Sequence, residues 1–133
     1  MTRVLALDHG AARCGVAVGD PSGTIAVPLD PVDGPDSRKG LARLAGLCSE
    51  LGVGLVVVGL PLSLSGAESG QTAAARDFAE RLAAAVAPVP VELFDERLTT
   101  AEARARGGAS QLDSRAAAVL LERVLESRQG DAP

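Results

Sequence analysis

Three acidic positions in this chain stand where carboxylates can do chemistry: Asp8, the Asp95-Glu96 pair and Asp113. Asp8 follows the apolar run Leu5-Ala6-Leu7, and Asp95 closes the run from Val91 to Phe94. A charge at the tip of a core strand is costly to keep ionised unless something pairs with it. Hard divalent cations take carboxylate oxygens. Two such ions, about 3.5–4 Å apart, can activate a water and stabilise the leaving oxygen in phosphodiester hydrolysis. Each acid also has a structural explanation. Asp8 could hydrogen-bond the turn it begins, Asp95 or Glu96 could pair with Arg97 or Arg13, and Asp113 is accounted for by helix capping alone.

Other polar residues surround these acids. His9, the one histidine, could serve as a base or bind phosphate, or could simply pack at the wall of a pocket. Arg13, after the Gly10 turn, suits either a phosphate clamp or a salt bridge. The segment Gly59-Leu60-Pro61-Leu62-Ser63-Leu64-Ser65-Gly66-Ala67-Glu68 leads from a strand towards a helix and could offer backbone N–H groups to a phosphate. It contains no Gly-Lys-Ser/Thr, so it is not a Walker A loop.

The elements that must position these residues follow from the hydrophobic pattern. Strands are expected over residues 3–8, 14–19 and 24–29, with Asp20-Pro21-Ser22-Gly23 as a turn, giving an antiparallel meander. Residues 30–36 form a Pro/Asp/Gly loop, and Ser37 caps a helix whose stripe is Leu41, Leu44, Cys48 and Leu51. After Gly52 and Gly54, the continuous apolar run from Leu55 to Leu60 predicts a central strand buried on both faces. A long helix is expected over residues 72–86, bearing Ala75, Phe78, Ala79, Leu82 and Val86 on one side, and a fifth strand over 91–95. Thr99 and Glu102 have capping-box spacing for a short helix that Gly107-Gly108 would end. Ser110 and Asp113 repeat that spacing before the last helix, whose stripe is Leu112, Ala116, Val119, Leu120 and Val124, with a frayed tail from Arg128. Three strands, helix, strand, helix, strand, helix is the order of a ribonuclease-H-like α/β fold: a five-stranded mixed sheet, meander first and parallel strands after, flanked by helices.

Composition narrows the function classes. A chain of 133 residues fits a single domain, here 1–133, with one core. No apolar run is long enough to cross a bilayer, and Met1-Thr2-Arg3 passes straight into a strand, so a cytoplasmic protein without a signal peptide is expected. Cys14 and Cys48 lie in apolar segments without metal-ligand spacing, as buried free thiols do. The net charge of −4 opposes binding long nucleic acid by charge alone. With Phe78 and Phe94 as the sole Phe, Tyr or Trp residues, a base-stacking platform is not expected.

Three blocks of the chain together resemble the YqgF family, also called RuvX, of pre-16S rRNA nucleases and Holliday-junction-resolvase-like proteins. They are Leu7-Asp8-His9-Gly10 through Arg13-Cys14-Gly15-Val16-Ala17; Val57-Val58-Gly59-Leu60-Pro61-Leu62; and Asp95-Glu96-Arg97-Leu98-Thr99-Thr100-Ala101-Glu102-Ala103. A weaker fourth block is Asp113 with Ala116 to Leu121. The resemblance implies a Mg²⁺- or Mn²⁺-dependent nuclease that matures the 5′ end of 16S rRNA or cuts branched DNA. It implies Asp8, Glu96 and Asp113 as catalytic and metal-holding acids, with Asp95 a second candidate ligand within the same dipeptide, and Arg13, Arg97, Thr99 and Thr100 around the substrate phosphate. A homodimer or a ribosome-associated protein partner is compatible with it. The chain departs from the family pattern in three places. His9 stands where tyrosine is common, Ala11-Ala12 replaces a frequent Thr-Lys, and residues 104–111 are short and lack a basic loop. The rivals are an ATP-handling lobe of the actin or sugar-kinase kind, and a non-catalytic binding module of ribosome assembly or transcription.

Overall fold

The computed structural model describes residues 3–61, 69–95 and 112–130, with side chains of the last helix over 115–127. Five strands form one sheet in the order β3-β2-β1-β4-β5. They are β1 (Arg3–Asp8), β2 (Arg13–Gly19), β3 (Ala26–Asp33), β4 (Val53–Leu60) and β5 (Val91–Asp95). The helices are α1 (Arg38–Leu51), α2 (Gly70–Val86) and α3 (Leu112–Gly130). β1 pairs antiparallel with β2 and β2 with β3, whereas β4 runs parallel to β1 and β5 parallel to β4. The expected mixed sheet, meander first, is therefore present.

Side-chain alternation along the strands divides the core between the two faces of the sheet. Leu5, Leu7, Cys14, Val16, Val18, Val56 and Val58 pack with Leu44, Leu47 and Cys48 of α1 and with Phe78, Ala79, Leu82 and Val86 of α2. Val4, Ala6, Ala17, Leu55 and Val57 face the other way, against Ala117, Leu120, Leu121, Val124 and Leu125 of α3. Both cysteines are buried free thiols, as expected, and burial pushes the Cys48 thiol up.

Local chemistry sets the helix ends. Ser37 Oγ accepts the Gly40 N–H, the N-cap expected of it. Gly52 closes α1 in the left-handed region, φ 64°, where its N–H reaches the Cys48 carbonyl. Arg3 binds this far end together: Nε donates to the Gly19 carbonyl and Nη1 to the Leu51 carbonyl, each at 2.9 Å. Ser69 and Thr72 form a capping box at the start of α2, two residues before the expected helix start.

Several elements differ from the sequence expectation. β3 runs to Asp33 instead of ending at Leu29, because Cys14 pairs with Val32 and Arg13 with Asp33 across a register shift. Pro28 and Pro31 are tolerated there because β3 is an edge strand and needs no outward donors. β4 begins at Val53, so Gly54 lies inside the strand. The α1 stripe is rotated: Gly40 and Leu47 are buried with Leu44 and Cys48, and Leu41 and Leu51 are only partly covered. α3 continues to Gly130, into the tail expected to fray from Arg128. The helix expected after Thr99 and the cap at Ser110 lie outside the described residues.

Candidate nuclease site at the strand ends

Since β1, β4 and β5 run parallel, their C-terminal ends share one edge of the sheet. Asp8 ends β1 at the middle of the sheet, and Asp95 ends β5, paired with Leu60. Leu7 pairs with Val58, so the two carboxylate-bearing ends lie nearly level along the strands. With β4 between them, the ends are two strand spacings apart, roughly 10 Å.

Alternation separates the faces on which these residues stand. Val4 and Ala6 pack against α3, which places Asp8 on the α3 face. Its cross-strand partner Gly15 contributes no side chain beside it. Arg13 is two positions from Gly15 along β2 and shares that face. Val91 packs with the α1/α2 layer, so Asp95, four positions on, belongs to that layer. Phe94 packs on the α3 side. Asp8 and Asp95 thus stand at one edge but on opposite faces.

His9 follows Asp8 and turns to the α1/α2 layer, where its side chain is 6% exposed. Its Nε2 donates to Asp36 Oδ2 at 2.7 Å, and its ring stacks on Phe78 with centroids 4.6 Å apart and planes at 25°. Of the alternatives for His9, the packed wall residue is the one the geometry matches. Arg13 Nε lies 4.0 Å from Asp33 Oδ1 with both side chains largely exposed, a pairing of at most about 1 kcal/mol.

The turn that carries this edge is fixed from outside. The Gly34 N–H donates to the Ala12 carbonyl at 2.9 Å. A β-carbon on Gly10 would meet the Arg13 carbonyl oxygen at 2.7 Å, so only glycine fits that approach. Across the edge, buried Thr72 donates through Oγ1 to the Pro61 carbonyl and accepts the Ser69 N–H at 2.9 Å. That one hydroxyl joins the end of β4 to the start of α2. Sequence reasoning named Phe78 as part of the helix stripe and gave no role to Asp36 or Thr72; the signal for Asp36 was its place directly before the Ser37 cap.

Glu96, Arg97, Thr99 and Thr100 lie outside the described residues, and Asp113 is described only as part of the α3 backbone. Among the described residues, no group of three or more His, Cys, Asp or Glu side chains is placed to hold a metal ion. Asp8 itself fits the requirement: an oxygen donor at a strand end, next to a residue without a side chain, suits a hard divalent cation. No helix among the described residues is long and apolar enough to cross a membrane.

A mixed sheet in this strand order, with acidic strand ends and helices on both faces, defines a ribonuclease-H-like protein. RuvC of Thermus thermophilus, solved with a Holliday junction substrate, shares the fold at a TM-score of 0.60, with 17% identity over 98% of this chain and 97% of that one. A model of the RuvX family, described as Holliday junction resolvase, matches residues 2–127. A Streptomyces avermitilis protein named "Putative pre-16S rRNA nuclease" is 44% identical over 98% of this chain and 91% of its own length. A Thermobifida fusca protein of the same name is 44% identical over 94% of this chain and 87% of its own. The chain belongs to the RuvX family.

Proposed function

We propose that this protein is a divalent-metal-dependent nuclease that hydrolyses phosphodiester bonds in the 5′-end maturation of 16S rRNA. The observation that carries the reading is the family match over residues 2–127 with Asp8 at the centre of the acidic edge. Asp8, Glu96 and Asp113 are the acids assigned to hold Mg²⁺ or Mn²⁺. One feature supports Glu96 over Asp95 as the ligand from that dipeptide: Asp95 belongs to the layer opposite Asp8. α3, to which Asp113 belongs, packs on Asp8's face. When bound, the cations supply Lewis-acid stabilisation of charge on the phosphate and a nucleophilic water at neutral pH.

The chain's own residues do the rest. Asp8 is held in place by β1, flanked by β2 and β4, so its position is set by the best-packed part of the sheet. Arg13, on the same face and about half exposed, is assigned to neutralise a phosphate oxygen. Arg97, Thr99 and Thr100 are assigned to the same phosphate.

The test is cleavage of a labelled pre-16S 5′-leader RNA and a four-way DNA junction, with Mg²⁺ or Mn²⁺, by wild type and Asp8→Asn. Cutting of the RNA that falls at least 100-fold in Asp8→Asn is expected. Preference for the junction would move the substrate to branched DNA. Wild-type protein that cuts neither would favour the non-catalytic binding module, in keeping with the net charge of −4 and the short segment 104–111.

A further inference from the structure

We propose that His9 is a positioning residue: it fixes the end of β1 and the turn over residues 9–12 against α1 and α2, and thereby sets where the Asp8 carboxylate stands. The inference rests on the reading of Asp8 as a metal ligand.

The two neighbours divide the work across the sheet. Asp8 stands on the α3 face, and His9 turns into the opposite layer. There one imidazole joins three parts of the molecule. Its backbone directly follows Asp8, the last residue of β1. Its Nε2 holds Asp36, in the connection that leads to the Ser37 cap of α1. Its ring lies on Phe78, the largest fully buried side chain and part of α2. Asp36 is itself tied to α2, since its main-chain carbonyl accepts from Arg81 Nη1 at 3.5 Å. The Gly34 N–H to the Ala12 carbonyl closes the same loop-to-loop junction from the other side of the turn.

Histidine suits this place because it carries two capacities in one ring. A flat apolar face covers Phe78, and a directional N–H at the ring edge reaches the carboxylate. Phenylalanine would keep the stack and lose the bond. Removing Asp36 loses the same bond from the other partner and leaves the stack. Asp36 has a side chain 38% exposed, so its loss opens no core cavity. Groups that orient a metal ligand without touching the metal commonly change its affinity by 10-fold or more.

The decisive experiment is Mn²⁺ titration calorimetry on the whole protein as wild type, His9→Phe, Asp36→Ala and the double variant. Asp8→Asn serves as the reference without the ligand, and thermal unfolding is followed in parallel. Each single variant is expected to weaken Mn²⁺ binding about 10-fold. The double variant should be no weaker than either, because both changes break one bond. In cleavage assays kcat should fall in parallel while KM for the RNA holds within about twofold. Singles that bind Mn²⁺ as wild type does would overturn the proposal, whatever their melting temperatures. If His9→Phe does not fold, Asp36→Ala decides alone. Wild-type protein that binds Mn²⁺ but cuts no substrate would remove the nuclease reading, and the affinities would still judge His9. Wild-type protein that binds no Mn²⁺ would overturn the positioning proposal itself.

Discussion

The two turns of the opening meander are built on opposite principles. The turn between β2 and β3 holds itself. Asp20 Oδ1 accepts the N–H groups of Thr24 and Ile25 at 2.9 Å, Oδ2 accepts from Ser22 Oγ at 2.5 Å, and the Asp20 N–H closes on the Ile25 carbonyl. Every partner lies within five residues. The turn between β1 and β2 is instead held by distant groups: His9 by Asp36 and Phe78, and Ala12 by Gly34. A self-contained turn ends a hairpin wherever the chain needs one. A turn fixed by the helix layer registers any shift of α1 or α2 beside Asp8, at the edge where the proposed chemistry takes place.

The change that should break this contrast most severely is Gly40→Ala. A β-carbon there would fall 2.0 Å from the Gly34 carbonyl oxygen and 2.9 Å from Pro35 Cα. Backbone cannot swing aside as a side-chain tip can, so the connection over residues 34–36 must move. A loss of about 3 kcal/mol in unfolding free energy is expected. Because that connection carries Gly34 and Asp36, amide exchange in the 9–12 turn should quicken as well, while the Asp20 turn stays as protected as in wild type. Urea unfolding and hydrogen exchange check the two parts separately. Equal acceleration in both turns would erase the distinction between them.

Gly10→Ala strikes the distant-held turn directly. The added carbon would lie 2.7 Å from the Arg13 carbonyl oxygen, a milder conflict than at Gly40. A cost of about 1–2 kcal/mol is expected. Since the displaced backbone lies between Asp8 and Arg13, kcat for the RNA should fall at least 10-fold even at temperatures where the variant is fully folded. Activity retained at the wild-type level would show that the turn geometry is dispensable for the site.

How much of this was open to sequence reasoning depended on how local the cause was. β1 and β4 are centred on continuous apolar runs, and the expected bounds of β1 and β5 are those found. The Ser37 cap acts within three residues and was equally legible. Pro28, Asp30 and Pro31 carry the signature of a loop; pairing of Val32 with Cys14 and of Asp33 with Arg13, eighteen and twenty residues back, keeps this stretch a strand. The acidic residues could be named, but not the faces on which they stand. Those follow from which alternate residues meet α3, a tertiary fact. The His9–Asp36 bond spans 27 residues and joins a strand end to a loop, a pairing with no periodicity to announce it.

The smallest expected effect sharpens the comparison from the self-held side. Two backbone N–H groups and the Ser22 hydroxyl stabilise the charged form of Asp20, with the Ser22 bond the largest contribution, and lower its pKa from 3.8 to about 2. A carboxylate whose pKa falls on folding adds stability above its unfolded value, and that stability is lost as pH drops through the folded value. Wild type should therefore be slightly more stable than Asp20→Asn above pH 4, with the gap closing between pH 4 and 2. Asparagine keeps an oxygen for the backbone donors but not the charge. Since Asp20 lies at the surface, solvent screens the interaction and the difference in melting temperature should be the smallest of the series. The carboxyl-carbon NMR shift of Asp20 is the direct measure: it should hold its ionised value from pH 7 to about 3. A midpoint near 3.8 would mean that the bonds within the turn do not favour the charged form, and that this turn, too, takes its shape from elsewhere.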